Sequence, residues 1–289
     1  MSADVEVVIA SRERSVGTHR VGRVLPTAAR RTIGPFIFFD HMGPIALPPG
    51  EGFDVLPHPH IGLSTVTYLF EGEAVHRDSL GSTRVIRPGD INWMTAGRGI
   101  VHSERSGPDA RAHGGRLHGL QLWVALPAAV EEMAPTFDHY PGATLPSLET
   151  DGARIRVLAG SAYGLVSPVK TSSPLVYVEA RLPAGASILA PSDHPQRAAY
   201  LVEGSVTLGD ITYPERNLLV LAPGERRLFA ERDTHVVFIG GDPLDQPHYI
   251  EWNFVATSKE RIAVAKRDWK ERRFPVIADD PDEFVPLPE

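Results

Sequence analysis

No cysteine occurs among the 289 residues. Thiolate nucleophiles, disulfides, iron–sulfur clusters and Cys-based zinc sites are excluded together, so any metal must rest on histidine and carboxylate side chains. An excess of positive charge is also missing. The 29 Lys and Arg face 36 Asp and Glu, and the net charge of −7 offers no broad field to nucleic acid or to an anionic membrane. No apolar run approaches the roughly 18 residues of a membrane span. The opening residues, MSADVEVVIASRERSVG, have no basic stretch followed by an apolar one, so a cytoplasmic location is expected. Helix signals are scarce until the end of the chain.

What the sequence does have is turn residues and alternation. Gly and Pro number 26 each, and 42% of residues are apolar, enough for a sizeable core. Short runs of period-2 patterning separated by Gly or Pro read as β-strands, for example Val5–Ile9, Phe36–Phe39, Ser64–Phe70, Leu120–Leu126 and Leu175–Leu182. Thr257 and Glu260 form a capping-box pattern, and Ile262, Ala265 and Trp269 share one helical face. They predict a helix over about 258–273, strapped across a sheet. The string Leu69-Phe70-Glu71-Gly72 returns as Leu201-Val202-Glu203-Gly204, 132 residues on. Pro88-Gly89-Asp90 returns as Pro223-Gly224-Glu225, 135 residues on. Two copies of one β unit are expected, joined through the Pro-rich stretch 127–151, with domains at 1–135 and 136–289.

The histidines carry the chemistry. His58 and His60 are two apart, so on an extended strand both rings leave the same face. His102 and Glu104 repeat that spacing behind Gly97 and Gly99. Two such strands can aim three neutral imidazoles and one carboxylate at a single ion. That donor set suits Fe(II), Mn(II), Ni(II), Cu(II) or Zn(II) and is too nitrogen-rich for Ca or Mg. His76, His113, His139 and His248 lie in polar or turn-like surroundings and are assigned to solvent, whereas His41 and His118 are candidates to line a pocket.

The strings GFDVLPHPHIGLSTVTYLFEG (52–72) and PGDINWMTAGRGIVHSE (88–104) resemble the pirin family of the cupin superfamily. The likeness extends through Phe39-Asp40-His41-Met42-Gly43-Pro44 and Leu117-His118-Gly119-Leu120-Gln121-Leu122-Trp123. It implies an all-β bicupin, two tandem antiparallel β-barrels of jelly-roll type plus a short C-terminal helix, with a mononuclear metal in the N-terminal barrel. The ligands implied are His58, His60, His102 and Glu104, the metal Fe(II) by preference, and the C-terminal barrel metal-free. His235 falls close to a general cupin histidine position, but with His194 it supplies only two imidazoles. Pirins commonly carry a Glu four residues after the second ligand histidine, where this chain has Ser64. Asp40, His41, Phe53, Ser64, Trp93 and His118 are taken as pocket candidates, with Phe38 and Trp123 as further aromatic ones.

Some pirins act as quercetin 2,3-dioxygenases, which open the flavonol central ring and release carbon monoxide. The resemblance therefore implies a flavonol substrate and O2 as partners, with Glu104 as ligand or general base. The alternative is a non-catalytic, redox-sensing regulator that binds a transcription factor or a metabolic enzyme. A monomer is expected, because tandem barrels cover each other's edges.

Overall fold

The computed structural model describes residues 4–17 and 19–288. Alternating segments form strands throughout. In chain order these are β1 (Val5–Ala10), β2 (Arg12–Val16), β3 (His19–Leu25), β4 (Phe36–Leu47), β5 (Asp54–His60), β6 (Leu63–Glu71), β7 (Ala74–Asp78) and β8 (Thr83–Ile86). Next come β9 (Ile91–Thr95), β10 (Ile100–Arg105), β11 (Gly115–Ala125), β12 (Thr136–Tyr140), β13 (Ser147–Thr150), β14 (Ala153–Ala162), β15 (Leu165–Val166) and β16 (Leu175–Leu182). The remainder are β17 (Ser187–Leu189), β18 (Gln196–Glu203), β19 (Ser205–Leu208), β20 (Ile211–Pro214), β21 (Asn217–Leu221), β22 (Arg227–Ala230), β23 (Thr234–Gly241), β24 (Tyr249–Glu251) and β25 (Phe254–Ala256). Helix α1 spans Pro108–His113 and α2 spans Lys259–Lys270.

The chain divides into two compact units. The first gathers Met1–Glu13, Gly22–Phe39 and Ala143–Pro243, and the second gathers Arg14–Val21, Asp40–Gly142 and Leu244–Glu289. The internal boundary therefore falls at Gly142/Ala143, whereas the sequence suggested 135/136. Strand β1 and helix α2 are each counted with the unit whose main body lies in the other half of the chain.

Both units are built alike, as expected of a duplicated β unit. The second unit has a small sheet in the order β5-β10-β7-β8 and most of a large one in the order β12-β9-β6-β11-β4-β3-β2, of which the starts of β2 and β4 and the end of β3 are counted with the first unit. The first unit has β17-β22-β19-β20 and β1-β21-β18-β23-β16-β14-β13. The orders match along the main path, with β1 taking the edge place beside β21 that β12 takes beside β9 and with β15 added beside β14 in the first unit alone. Gly72 and Gly204 sit at equivalent turns, after β6 and after β18, with φ of +84° and +88° that only glycine adopts cheaply.

The second sequence echo does not survive. Pro88-Gly89 precedes β9, but Pro223-Gly224 follows β21, the counterpart of β9, so these turns are not equivalent. In the first unit the place of the Pro88-Gly89 turn is taken by Glu215-Arg216, with Arg216 at φ +65°.

The two interiors are filled differently. In the first unit aliphatic and aromatic side chains such as Val178, Leu201, Leu219, Leu228, Val236 and Phe238 form one buried cluster. In the second unit α2 buries Ile262, Ala265 and Trp269 in a cluster with Ile61, Val101 and Phe254, the strap its apolar stripe predicted. Fully burying each large apolar side chain contributes about 1.5–3 kcal/mol. Its cap is Ser258, whose Oγ accepts from the Arg261 N–H at 3.1 Å. Thr257, the cap suggested by sequence, binds the Glu131 carboxylate through its N–H (2.9 Å) and hydroxyl (2.7 Å).

Candidate metal centre

The small sheet of the second unit assembles the site by register. His102 on β10 stands opposite His58 on β5 and opposite Asp78 on β7. Glu104 stands opposite His76, which in turn faces Arg84 on β8. Cross-strand partners share a face, so His58, His102, Glu104 and His76 project to one side. A bulge between His102 and Glu104 sets the carboxylate slightly out of step with β5. The ring centroids of His58 and His102 are 4.4 Å apart, those of His60 and His102 5.0 Å, and those of His58 and His60 4.9 Å.

One ring nitrogen from each of His58, His60 and His102 lies within 4.8 Å of the others. A second group meeting the same distance consists of His76, His102 and Glu104. All five side chains are buried.

Hydrogen bonds turn these rings inward. His58 Nδ1 lies 2.8 Å from the Leu56 carbonyl and His60 Nδ1 lies 3.0 Å from the Asn253 carbonyl. A carbonyl only accepts, so each Nδ1 carries the proton and each Nε2 keeps a bare lone pair. His102 Nε2 is buried and has no hydrogen-bond partner. Burial lowers the His58 pKa from 6.5 to about 4 and holds His60 and His102 well below their usual value, so all three rings are neutral near neutral pH. Glu104 goes the other way. Burial raises its pKa, against the opposing pull of a hydrogen bond from Thr67 Oγ1 at 2.7 Å.

An unpartnered buried nitrogen beside two more bare lone pairs and a carboxylate suits a transition metal. Either group, His58 with His60 and His102 or His76 with His102 and Glu104, could hold a metal ion.

The large sheet supplies the facing wall. In register across it, Thr67 pairs with Asn92 and Gln121, and Thr65 pairs with Met94 and Trp123. This is the inner face, since Thr67 reaches Glu104 and the Trp123 ring meets His60 at 5.1 Å. Phe137, opposite Met94 on β12, stacks on His76 with centroids 4.2 Å apart. Between the edge strands β8 and β12 an open cleft of about 910 Å³ is lined by Arg84, Arg87, Phe137, Asp138 and His139.

Not every pocket candidate joins this wall. Ser64 and Trp93 belong to the opposite face of the large sheet, where Ser64 Oγ bonds Thr95 Oγ1 at 3.0 Å and Trp93 faces Val66. Ser64, four residues after His60, leaves the ligand face because Gly62 turns the chain between β5 and β6. The Gly62 φ is +67°, and a Cβ there would meet the Val255 carbonyl oxygen at 2.0 Å. Phe53 sits in a separate apolar cluster with Val21, Met42 and Leu117 and stacks on His19 at 5.0 Å. His41 and His118 form a buried pair, Nε2 to Nε2 at 2.7 Å, with Phe70 against His118, and Asp40 beside them in the chain is also buried. Among the aromatic candidates Trp123 reaches the ring cluster, while Phe38 carries the Arg23 guanidinium 4.2 Å over its ring.

Three of the four histidines assigned to solvent are partly or wholly buried. His76 is 2% exposed and lies against His102. His139 is half-buried, with Nδ1 2.7 Å from Asn92 Oδ1. His113 on α1 is exposed as expected, and His248 is half-buried against the Leu126 carbonyl. The signal for His76 was its i, i+2 spacing with Asp78, the same spacing that singled out the ligand pairs.

Comparison with known proteins agrees with this architecture. Residues 18–124 match the family model for pirin, and residues 177–275 match that for the pirin C-terminal cupin domain. The chain belongs to the pirin family. It is 50% identical to a pirin-like protein of Caulobacter vibrioides over 99% of this chain and 100% of that one. It is 40% identical to a Pseudomonas aeruginosa protein provisionally named a quercetin 2,3-dioxygenase, over 87% of this chain and 79% of the other. A crystal structure of quercetin 2,3-dioxygenase from Acinetobacter baumannii superposes with a TM-score of 0.91 at 34% identity, covering 98% of this chain and 95% of that one.

The topology also reassigns His235 of the pirin C-terminal domain. It lies on β23, the counterpart of β11, and stands opposite Glu203 as His118 stands opposite Glu71. Its Nε2 is 2.9 Å from Glu179 Oε1 across β16 and β23, so it parallels the structural His118 and not His102. The counterparts of β5 and β10 carry Ile188, Leu228 and Ala230 in the apolar cluster.

Proposed function

We propose that this pirin-family chain is a mononuclear metal enzyme that cleaves a flavonol such as quercetin with O2 and releases carbon monoxide. His58, His60, His102 and Glu104 would hold one divalent ion, Fe(II) by preference, with Cu, Ni, Mn and Zn as other occupants of such a donor set. The convergence of three neutral imidazoles beside an aromatic wall, with His102 also within ligand distance of the buried Glu104 carboxylate, supports this reading. When bound, the metal supplies a Lewis-acidic, redox-active centre for the flavonol 3-oxygen and for O2.

The chain's own residues do the remainder. Glu104, as ligand or as general base, is the buried carboxylate beside His102 that would take the 3-hydroxyl proton. Thr67 donates to Glu104 Oε1 and fixes where that proton would go. Trp123 offers an aromatic face next to His60, and Phe137 offers another next to His76, for a planar polyphenol. The similarity to proteins named for this activity, at 40% and 34% identity, supports the same reading.

Incubating metal-loaded protein with quercetin under air is expected to bleach the flavonol absorbance and release CO, and His60→Ala is expected to abolish both. Full metal occupancy without CO would contradict the catalytic reading and favour a redox-sensing regulator in its place.

A further inference from the structure

Each ring of the trio is aimed by its other nitrogen, and the three supports differ in kind. His58 and His60 lean on the backbone carbonyls of Leu56 and Asn253. His102 leans on a side chain, with its Nδ1 3.5 Å from Nδ1 of His76.

His76 is fixed in turn. Its ring stacks on Phe137 with 10° between planes, and its Nε2 lies 3.0 Å from Asp78 Oδ2. The other Asp78 oxygen accepts from the backbone N–H groups of Leu80 (2.9 Å) and Ser82 (3.0 Å). Burial pushes the Asp78 pKa up, but the bonds from His76 and Ser82 outweigh it and leave the pKa below the ordinary aspartate value.

The proton positions then follow one from another. An ionised carboxylate only accepts, so His76 Nε2 carries hydrogen. With the His76 hydrogen on Nε2, its contact with His102 is made by His102 Nδ1 donating to His76 Nδ1. His102 Nε2 is thereby left bare, the same nitrogen that is buried without a partner.

We propose that Asp78 and His76 form a positioning relay that fixes the tautomer and the plane of His102, presenting its Nε2 to the metal. The inference rests on the reading of His102 as a ligand. His76 also falls within ligand distance of His102 and Glu104, but with Nε2 tied to Asp78 and Nδ1 facing His102 Nδ1 it acts here as a support and not as a donor to the metal.

Nitrogen-15 NMR of the full-length apoprotein reads the tautomers without metal. His102 is expected as the Nδ1–H form in the wild type. His76→Gln supplies one donor and one acceptor and should keep that form, whereas His76→Leu should lose it. Asp78→Asn is expected to reverse the relay. With its single oxygen held by the turn, its amide would donate to His76, and the His102 proton would move to Nε2.

Chelator competition with Cu(II) should then show His76→Leu and Asp78→Asn about 10- to 100-fold weaker and His76→Gln within a few-fold of wild type. The Cu(II) EPR nitrogen pattern at saturation should be unchanged in His76→Leu. Wild-type His102 protonated on Nε2, undiminished affinity in both His76→Leu and Asp78→Asn, or loss of one nitrogen coupling in His76→Leu would overturn the proposal. If His76→Leu does not fold, Asp78→Asn decides alone. Wild-type protein that binds no Cu(II) would refute the ligand reading, while the apoprotein NMR would still decide the relay.

Discussion

At the scale of the residue, burial decides what the site histidines do. His58 in the unfolded chain takes up a proton near pH 6.5, but its buried ring refuses one until about pH 4. His60 and His102 shift in the same direction. Between those pH values the unfolded state binds more protons than the folded one, so apoprotein stability falls as pH drops from about 6.5 to about 4 and levels below for His58. Urea unfolding of apoprotein across that window should show the decline, and His58→Phe should shallow it. A flat curve would contradict the burial argument. The trio was legible because i, i+2 spacing on two strands leaves little freedom in where the rings point. His76 was not, because Arg77 and Asp78 beside it read as a solvated charged run, and only the Phe137 stack and the β10 pairing bury it.

Among the elements, the C-terminal segment packs against β5 and β10, the strands that carry the histidine trio. Asn253 supplies the carbonyl behind His60, the Val285 N–H donates to the Pro57 carbonyl at 2.9 Å, and α2 covers Ile61 and Val101. On the outer face of β10, Asp280 accepts from Ser103 Oγ at 2.8 Å and from two Arg105 nitrogens at 2.7 and 2.8 Å. Burial raises the Asp280 pKa, but the Arg105 and Ser103 bonds outweigh it, so its contribution is present above the ordinary aspartate value and lost in acid. Asp280→Asn should cost about 2 kcal/mol of stability, the scale of a charge-assisted hydrogen bond, and lower the melting temperature by several degrees. An unchanged melting temperature would show that the tail does not clamp β10. The helix itself was legible from Ile262, Ala265 and Trp269, but its unit was not, because a hydrophobic stripe states that a partner exists and not which distant strands provide it.

For the molecule as a whole, one topology is used twice with opposite interiors. In one unit β5 and β10 turn His58, His60, His102 and Glu104 inward, and in the other β17 and β22 turn Ile188, Leu228 and Ala230 inward. The duplication was legible in Gly72 and Gly204, whose positive φ is a local demand written into the sequence. The exchange of β1 and α2 between units was not, since pairing of β1 with β21 is a long-range event with no local signature. Ser64 was misplaced as a pocket candidate for a related reason, because the turn at Gly62 carries β6 into another sheet. Anomalous diffraction from crystals of metal-loaded protein tests the central claim most directly. The account predicts a single strong peak per chain among His58, His60 and His102, with Glu104 in reach. A peak in the unit containing Leu228, or none beside those three rings, would contradict it.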